Sequence, residues 1–224
     1  MINENQFNDL LKLKIGSWAI WSETGHNNLK FFKSRMSELH GNVILLGLNR
    51  SGKRKTAIDT KYEFNNFHSP KHAGDSHLET YFRDGKLNKI KGGYMTDLYL
   101  DIEGNSGKIN KKTDDQLKEA VHFLFDQIDI LNRGNANDKT ILTIICFSDK
   151  CFDHLLKGGI PKGNIQTIDF NIKYINSDFE HYNKIYSLNI YRVYHYSYRF
   201  KKSKEYIEVK IPTQLSHINE LLQN

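Results

Sequence analysis

The sequence predicts an α/β chain, a three-layer α/β/α sandwich with a mainly parallel central sheet of four strands. Three observations carry this reading. Short apolar runs at 42–48 and 141–147 are continuous rather than alternating, as in strands covered on both faces. Segments 93–99 (GYMTDLY) and 189–193 read as two further strands, and helical spacing between the strands implies βαβ units with functional residues at the strands' carboxyl ends. At 224 residues the chain can bury a sizeable core without a second unit, so 1–224 reads as a single domain.

In chain order, Leu10, Leu11, Leu13 and Ile15 suggest an amphipathic helix over about 5–14. The strand at 42–48 follows and runs into Gly-Leu-Asn-Arg-Ser-Gly. From Lys53 to Asn88 Asn, His, Gly and Lys surround single aromatics, which predicts a long functional loop with short helical pieces. After the strand at 93–99 and a basic, Gly-containing hinge at 103–112, Thr113 is placed to cap a helix bearing Leu117, Val121, Leu124, Phe125 and Ile128 on one face. The strand at 141–147 leads into a short helix, Cys151 to Leu156, stopped by Gly158 and Gly159. The last strand, 189–193, enters His195-Tyr196-Ser197-Tyr198, and segments 205–210 and 215–222 finish the chain.

Composition narrows the function classes. No apolar run approaches the roughly 20 residues that span a bilayer, and the polar start MINENQFNDL lacks a signal peptide's apolar stretch, so the expectation is a cytoplasmic protein with no membrane partner. Cys146 and Cys151 are too few for a disulfide framework or a four-cysteine zinc site. His68, His72, Asp75 and His77 lie close together, but their spacing fits no tight helical ligand pair, and no metal is expected. The net charge is +6, gathered at Lys53/Arg54/Lys55, Lys108/Lys111/Lys112 and Arg199/Lys201/Lys202/Lys204. Such clusters favour phosphate backbones through counterion release. Twelve tyrosines and thirteen phenylalanines offer stacking surface besides core.

Gly47 to Lys53, GLNRSGK, satisfies the phosphate-loop spacing G-x-x-x-x-G-K. The next residue is Arg54 rather than the hydroxyl that would hold Mg²⁺, and the segment beyond lacks the apolar spacing of the required helix, so a nucleotide hydrolase is set aside. Read instead as a turn, Gly47-Leu48-Asn49 presents Asn49 at the sheet's edge. Gly47-Leu48-Asn49-Arg50 after the first core strand and His195-Tyr196-Ser197-Tyr198 after the last, with Tyr94-Met95-Thr96-Asp97 between them, resemble the ordered motifs of the uracil-DNA glycosylase superfamily over about residues 40 to 205. The prolines of the family's Gly-x-Asn-Pro and His-Pro-Ser-Pro motifs are absent.

The resemblance implies a catalytic pair. Asn49 would place the attacking water, and His195 would donate to the base carbonyl where negative charge collects as the N-glycosidic bond breaks. Gly47, Leu48, Phe64, Asn66, Phe67, His68, Asp97 and Ser197 would form the substrate site, with a phenylalanine as stacking face and Ser197 on a phosphate. Arg50, Ser51, Lys53, Arg54, Tyr198, Arg199, Lys201 and Lys202 would contact DNA. Each residue also has a plainer role: Asn49 as a turn residue, His195 in an aromatic cluster, the phenylalanines in the core, Asp97 as a cap. Asp97 stands where the family reads uracil with an amide; an ionised carboxylate only accepts, which suits a base bearing an exocyclic amine. The expectation is a monofunctional glycosylase acting on single- or double-stranded DNA without a cofactor. The alternative is a catalytically silent nucleic-acid or nucleotide-binding sensor, for example in defence against foreign DNA.

Overall fold

The computed structural model describes residues 1–22, 29–49, 64, 67–68, 73–83, 85–99, 112–134, 139–196 and 203–223. Its strands are β1 (Ser17–Trp18), β2 (His40–Asn49), β3 (Gly93–Tyr99), β4 (Lys139–Phe147), β5 (Gln166–Ile168), β6 (Ile172–His181) and β7 (Lys184–Val193). Its main helices are α1 (Glu4–Lys12), α2 (Leu29–Ser34), α3 (Ala73–Arg83), α4 (Asp114–Leu131), α5 (Asp149–Lys157) and α6 (Ile211–Leu221).

The strands form one mixed sheet of seven in the order β1-β3-β2-β4-β7-β6-β5. Pairs β3/β2, β2/β4 and β4/β7 are parallel, whereas β1/β3, β7/β6 and β6/β5 are antiparallel. The expected four-stranded, mainly parallel sheet is therefore corrected to a seven-stranded mixed one. The reason is the β6–β7 hairpin, which sequence reading passed over. Its turn, Tyr182-Asn183, has φ of 45° and 64°, the two left-handed residues that a tight hairpin turn requires, without the usual glycine. Along β6 the inward positions Ile175, Ser177, Phe179 and His181 alternate with exposed Asn176, Asp178 and Glu180, and Ser and His blur the apolar pattern.

Helices cover both faces. On one, α1, α4 and α5 bury Phe7, Leu124, Phe125, Ile128, Phe152 and Leu155 against Ile44, Leu46, Ile144 and Ile190. On the other, α3 and α6 bury Leu78, Phe82, Ile211, Leu215 and Ile218 against Val43, Leu45, Ile145 and Val193. Thr113 caps α4 as its sequence predicts, in a reciprocal box with Gln116, and Asn3 and Gln6 do the same for α1. The polar stretch before β3 contains a three-turn helix, α3, rather than only short pieces. The end of the chain is helical from Ser203 through a π-turn, Tyr206–Lys210, into α6.

Chain order reverses beside β2: β3 lies on one side of it and β4 on the other. In open α/β sheets such a reversal leaves a crevice at the strands' carboxyl ends, because successive crossovers depart to opposite sides. Gly47 and Asn49 lie at the carboxyl end of β2, beside this reversal.

Candidate functional site

Gly47 and Asp97 are register partners at the ends of β2 and β3. A methyl group on Gly47 would lie 2.2 Å from Asp97 Oδ1 and 2.9 Å from Phe67 Cζ, so the absence of a side chain lets a carboxylate and a ring close over the strand. Gly47-Leu48-Asn49 is strand, not the expected turn, because β2 stays paired with β3 as far as Asn49 and Tyr99. Cys151 braces this strand end from the α5 side: its thiol lies 3.6 Å from the carbonyl oxygens of Leu46 and Gly47. Burial, the neighbouring Cys146 and the charge of Asp97 all push the Cys151 thiol well up, so it remains protonated.

Asp97 is only 4% exposed. Above it Phe67 meets Tyr196 edge-on with centroids 5.8 Å apart, Tyr196 meets Phe147 at 5.1 Å, and His195 stacks on Tyr196 at 4.7 Å. Burial, then Asp75 on α3 and Asp97, raise the Tyr196 phenol far above its ordinary range, which keeps it a neutral hydrogen-bonding group. Gln214 on α6 fixes the approach to His195: its Oε1 accepts from Tyr194 N at 2.8 Å while its Nε2 donates to Phe170 O at 2.9 Å.

Two residues here hold unusual backbone angles. Phe67 has φ of 63°, and Ser148, the residue after β4, has φ of 144° and ψ of 158°, a region that L residues rarely enter. Ser148 also caps α5 by accepting from Cys151 N. Such conformations cost about 1–3 kcal/mol each and persist where surrounding structure enforces them, commonly at functional sites.

Gly47, Phe67, Asp97 and His195 thus converge, and Asn49 ends the same strand as Gly47. The other described residues of the expected site lie elsewhere. Phe64 packs with Phe7, Trp18 and Phe32 in the core, and half-buried Leu48 packs against that same core. His68 sits between Trp21 and Phe32, its Nε2 3.0 Å from Trp18 O, and desolvation lowers its pKa to about 3, so it is neutral. Asn66, Ser197, Arg50, Ser51, Lys53, Arg54, Tyr198, Arg199, Lys201 and Lys202 lie outside the described residues.

Tyr196, Asp75, Phe147 and Ser148 are site components that sequence reasoning did not assign. Tyr196 had a signal in its place inside the quoted His-Tyr-Ser-Tyr run, and Asp75 in the His/Asp cluster at 68–77. A separate polar depression of about 340 Å³ lies at the opposite end of the strands, lined by Asn3, Gln6, Asn42, Asn132 and Arg133. Its Gln6 amide already donates to Leu131 O and Arg133 O, so that amide serves as a seam between α1 and α4. Among the described residues no group of three His, Cys, Asp or Glu could hold a metal, and no helix is long and apolar enough to cross a membrane. No family model matches this chain, and no curated protein matches it.

Proposed function

We propose that the protein is a monofunctional DNA glycosylase-like enzyme that hydrolyses the N-glycosidic bond of a base turned out of DNA. The observation that carries this reading is the convergence of Gly47, Asp97, Phe67 and the His195–Tyr196 pair at the carboxyl ends of the strands, where chain order reverses. Cleavage leaves an oxocarbenium-like sugar and an anionic base, which must be met by a positioned water on one side and a donor on the other. Asn49 supplies the first and His195 the second. Asp97, packed against Gly47, accepts from the base edge through its carboxylate oxygens, so the preferred base carries an exocyclic amine or an equivalent N–H donor. Neutral Tyr196 adds a phenolic donor, and Phe67 an aromatic face.

The test is release of bases from a panel of single- and double-stranded oligonucleotides, with alkali cleaving the strand at each abasic site. Product from amine-bearing bases is expected, falling by about 10²- to 10³-fold in Asn49→Ala and His195→Ala, the usual loss for a transition-state donor. No product from any base would sink the proposal.

The second reading, a silent nucleic-acid-binding module, is favoured by how tightly Phe67 and Tyr196 close over Asp97, both rings being buried. It predicts salt-sensitive binding with no product from any oligonucleotide.

A further inference from the structure

On the α5 side of the same strand ends, Arg192 of β7 stands directly opposite Lys173 of β6. Like charges facing each other across an antiparallel pair repel unless an anion lies between them. Here the anion is Asp149, the first residue of α5: its Oδ1 contacts Lys173 Nζ and approaches Arg192 Nε at 3.1 Å.

The neutralisation is unequal. The Arg192 side chain is 5% exposed, whereas that of Asp149 is 56% exposed. Arg192 Nε lies close to the carboxylate but outside hydrogen-bonding alignment, and neither Nε nor Nη1 has an acceptor among the described residues. The guanidinium also lies over the Tyr194 ring, 5.4 Å from its centroid. A buried guanidinium normally has its fork filled by two oxygens, because desolvating it otherwise costs several kcal/mol. Helix α5, nine residues long, adds the positive end of its dipole.

We propose that Arg192, Lys173 and the amino end of α5 form a site for a backbone phosphate of nucleic acid, and that the Asp149 carboxylate occupies it until the phosphate displaces it. A phosphodiester offers the two oxygens that match the guanidinium fork, and Asp149, more than half in water, has room to swing out. The site is at the ends of β4 and β7, on the opposite face of the sheet from Asp97. The inference rests on the reading that this chain binds DNA, but on none of the groups assigned to catalysis.

The test is anisotropy of a labelled, undamaged single-stranded oligonucleotide across a salt series, with wild type, Asp149→Asn, Lys173→Gln and Arg192→Gln, each checked for folding by thermal unfolding. Asp149→Asn is expected to bind severalfold tighter, because the competing carboxylate charge is gone. Lys173→Gln is expected to bind more weakly, with the slope of log K against log salt reduced by about 0.7, the value for one lost contact to single-stranded DNA. Lys173, 35% exposed, keeps the test decisive if Arg192→Gln does not fold. Unchanged or weaker binding by Asp149→Asn, or an unchanged slope in Lys173→Gln, would overturn the proposal and leave the triad as an internal ion cluster. A competition arm with inorganic phosphate separates the sources: an oligonucleotide indifferent to these variants while phosphate binding follows them would assign the site to free phosphate and refute the nucleic-acid claim. Base release is measured separately, so this site stands or falls apart from the glycosylase chemistry.

Discussion

In the β6–β7 hairpin the pairing runs unbroken from Lys173/Arg192 to His181/Lys184, with inward and outward residues alternating along β6. At the carboxyl ends of β2, β3 and β4 the pattern is different. A glycine admits a buried carboxylate, a phenylalanine and a serine hold unusual backbone angles, and a thiol props up the strand end. Regular alternation stabilises the strands at little cost and confines left-handed backbone to the Tyr182-Asn183 turn, whereas irregular backbone at a strand end costs free energy and is retained where a side chain must stand in a particular place. Substitutions in the two regions should therefore separate stability from function.

The largest expected effect lies in the regular region. Phe179, packed on Phe125 with centroids 4.3 Å apart, is far from Asp97 in the fold. Phe179→Ala should cost about 3–5 kcal/mol in denaturant unfolding, as truncated core phenylalanines do, with base release per folded molecule unchanged. A specific loss of activity at preserved stability would erase the distinction. At the strand ends, Gly47→Ala should cost about 1–3 kcal/mol through overpacking and should also abolish product, because Asp97 and Phe67 must both retreat. Retained activity would show that their placement is not used.

An intermediate effect concerns pH. The pKa of His68 is depressed to about 3 in the folded protein from an ordinary 6.5, so between these values the unfolded chain binds the extra proton. Stability is fully present above pH 6.5 and should fall as pH drops towards 3, by at most about 1.4 kcal/mol per unit from this group. Unfolding midpoints of His68→Gln should show a shallower acid slope; an identical slope would remove His68 as the cause. His40 and His154, also lowered chiefly by burial, act in the same direction and leave a residual slope. The smallest effect is at Ser148: Ser148→Gly relieves the backbone but loses the cap, while Ser148→Ala loses the cap and keeps the strain. Glycine should therefore be more stable than alanine there by about 1–3 kcal/mol, and equal midpoints would argue that the backbone angle carries no strain.

Legibility divides along the same line. The cores of β2, β3 and β4, the end of β7 and the capped helix α4 were readable because continuous apolar runs and a capping pair act locally. The hairpin was not, since Tyr182-Asn183 lacks a glycine and His181 is buried inward despite its polarity. At the candidate site, the family resemblance points to Asn49, Asp97 and His195, which stand at or near the carboxyl ends of β2, β3 and β7. Phe64 and Phe67 could not be told apart: only two residues separate them in the chain, yet one faces each side of the sheet. Arg192 and Asp149 matter through contacts between distant segments, which no local pattern encodes.

The sheet's two borders have a consequence of their own. One is β1, with two residues, and the other is β5, with three. A wide sheet ordinarily offers unpaired backbone along its margins as a template on which another chain can add a strand. β5 pairs only with Ile172 to Tyr174, so among the described residues the rest of β6 has no further strand along its outer edge, and the exposed charges of Asp178 and Glu180 are what discourage another chain from adding there.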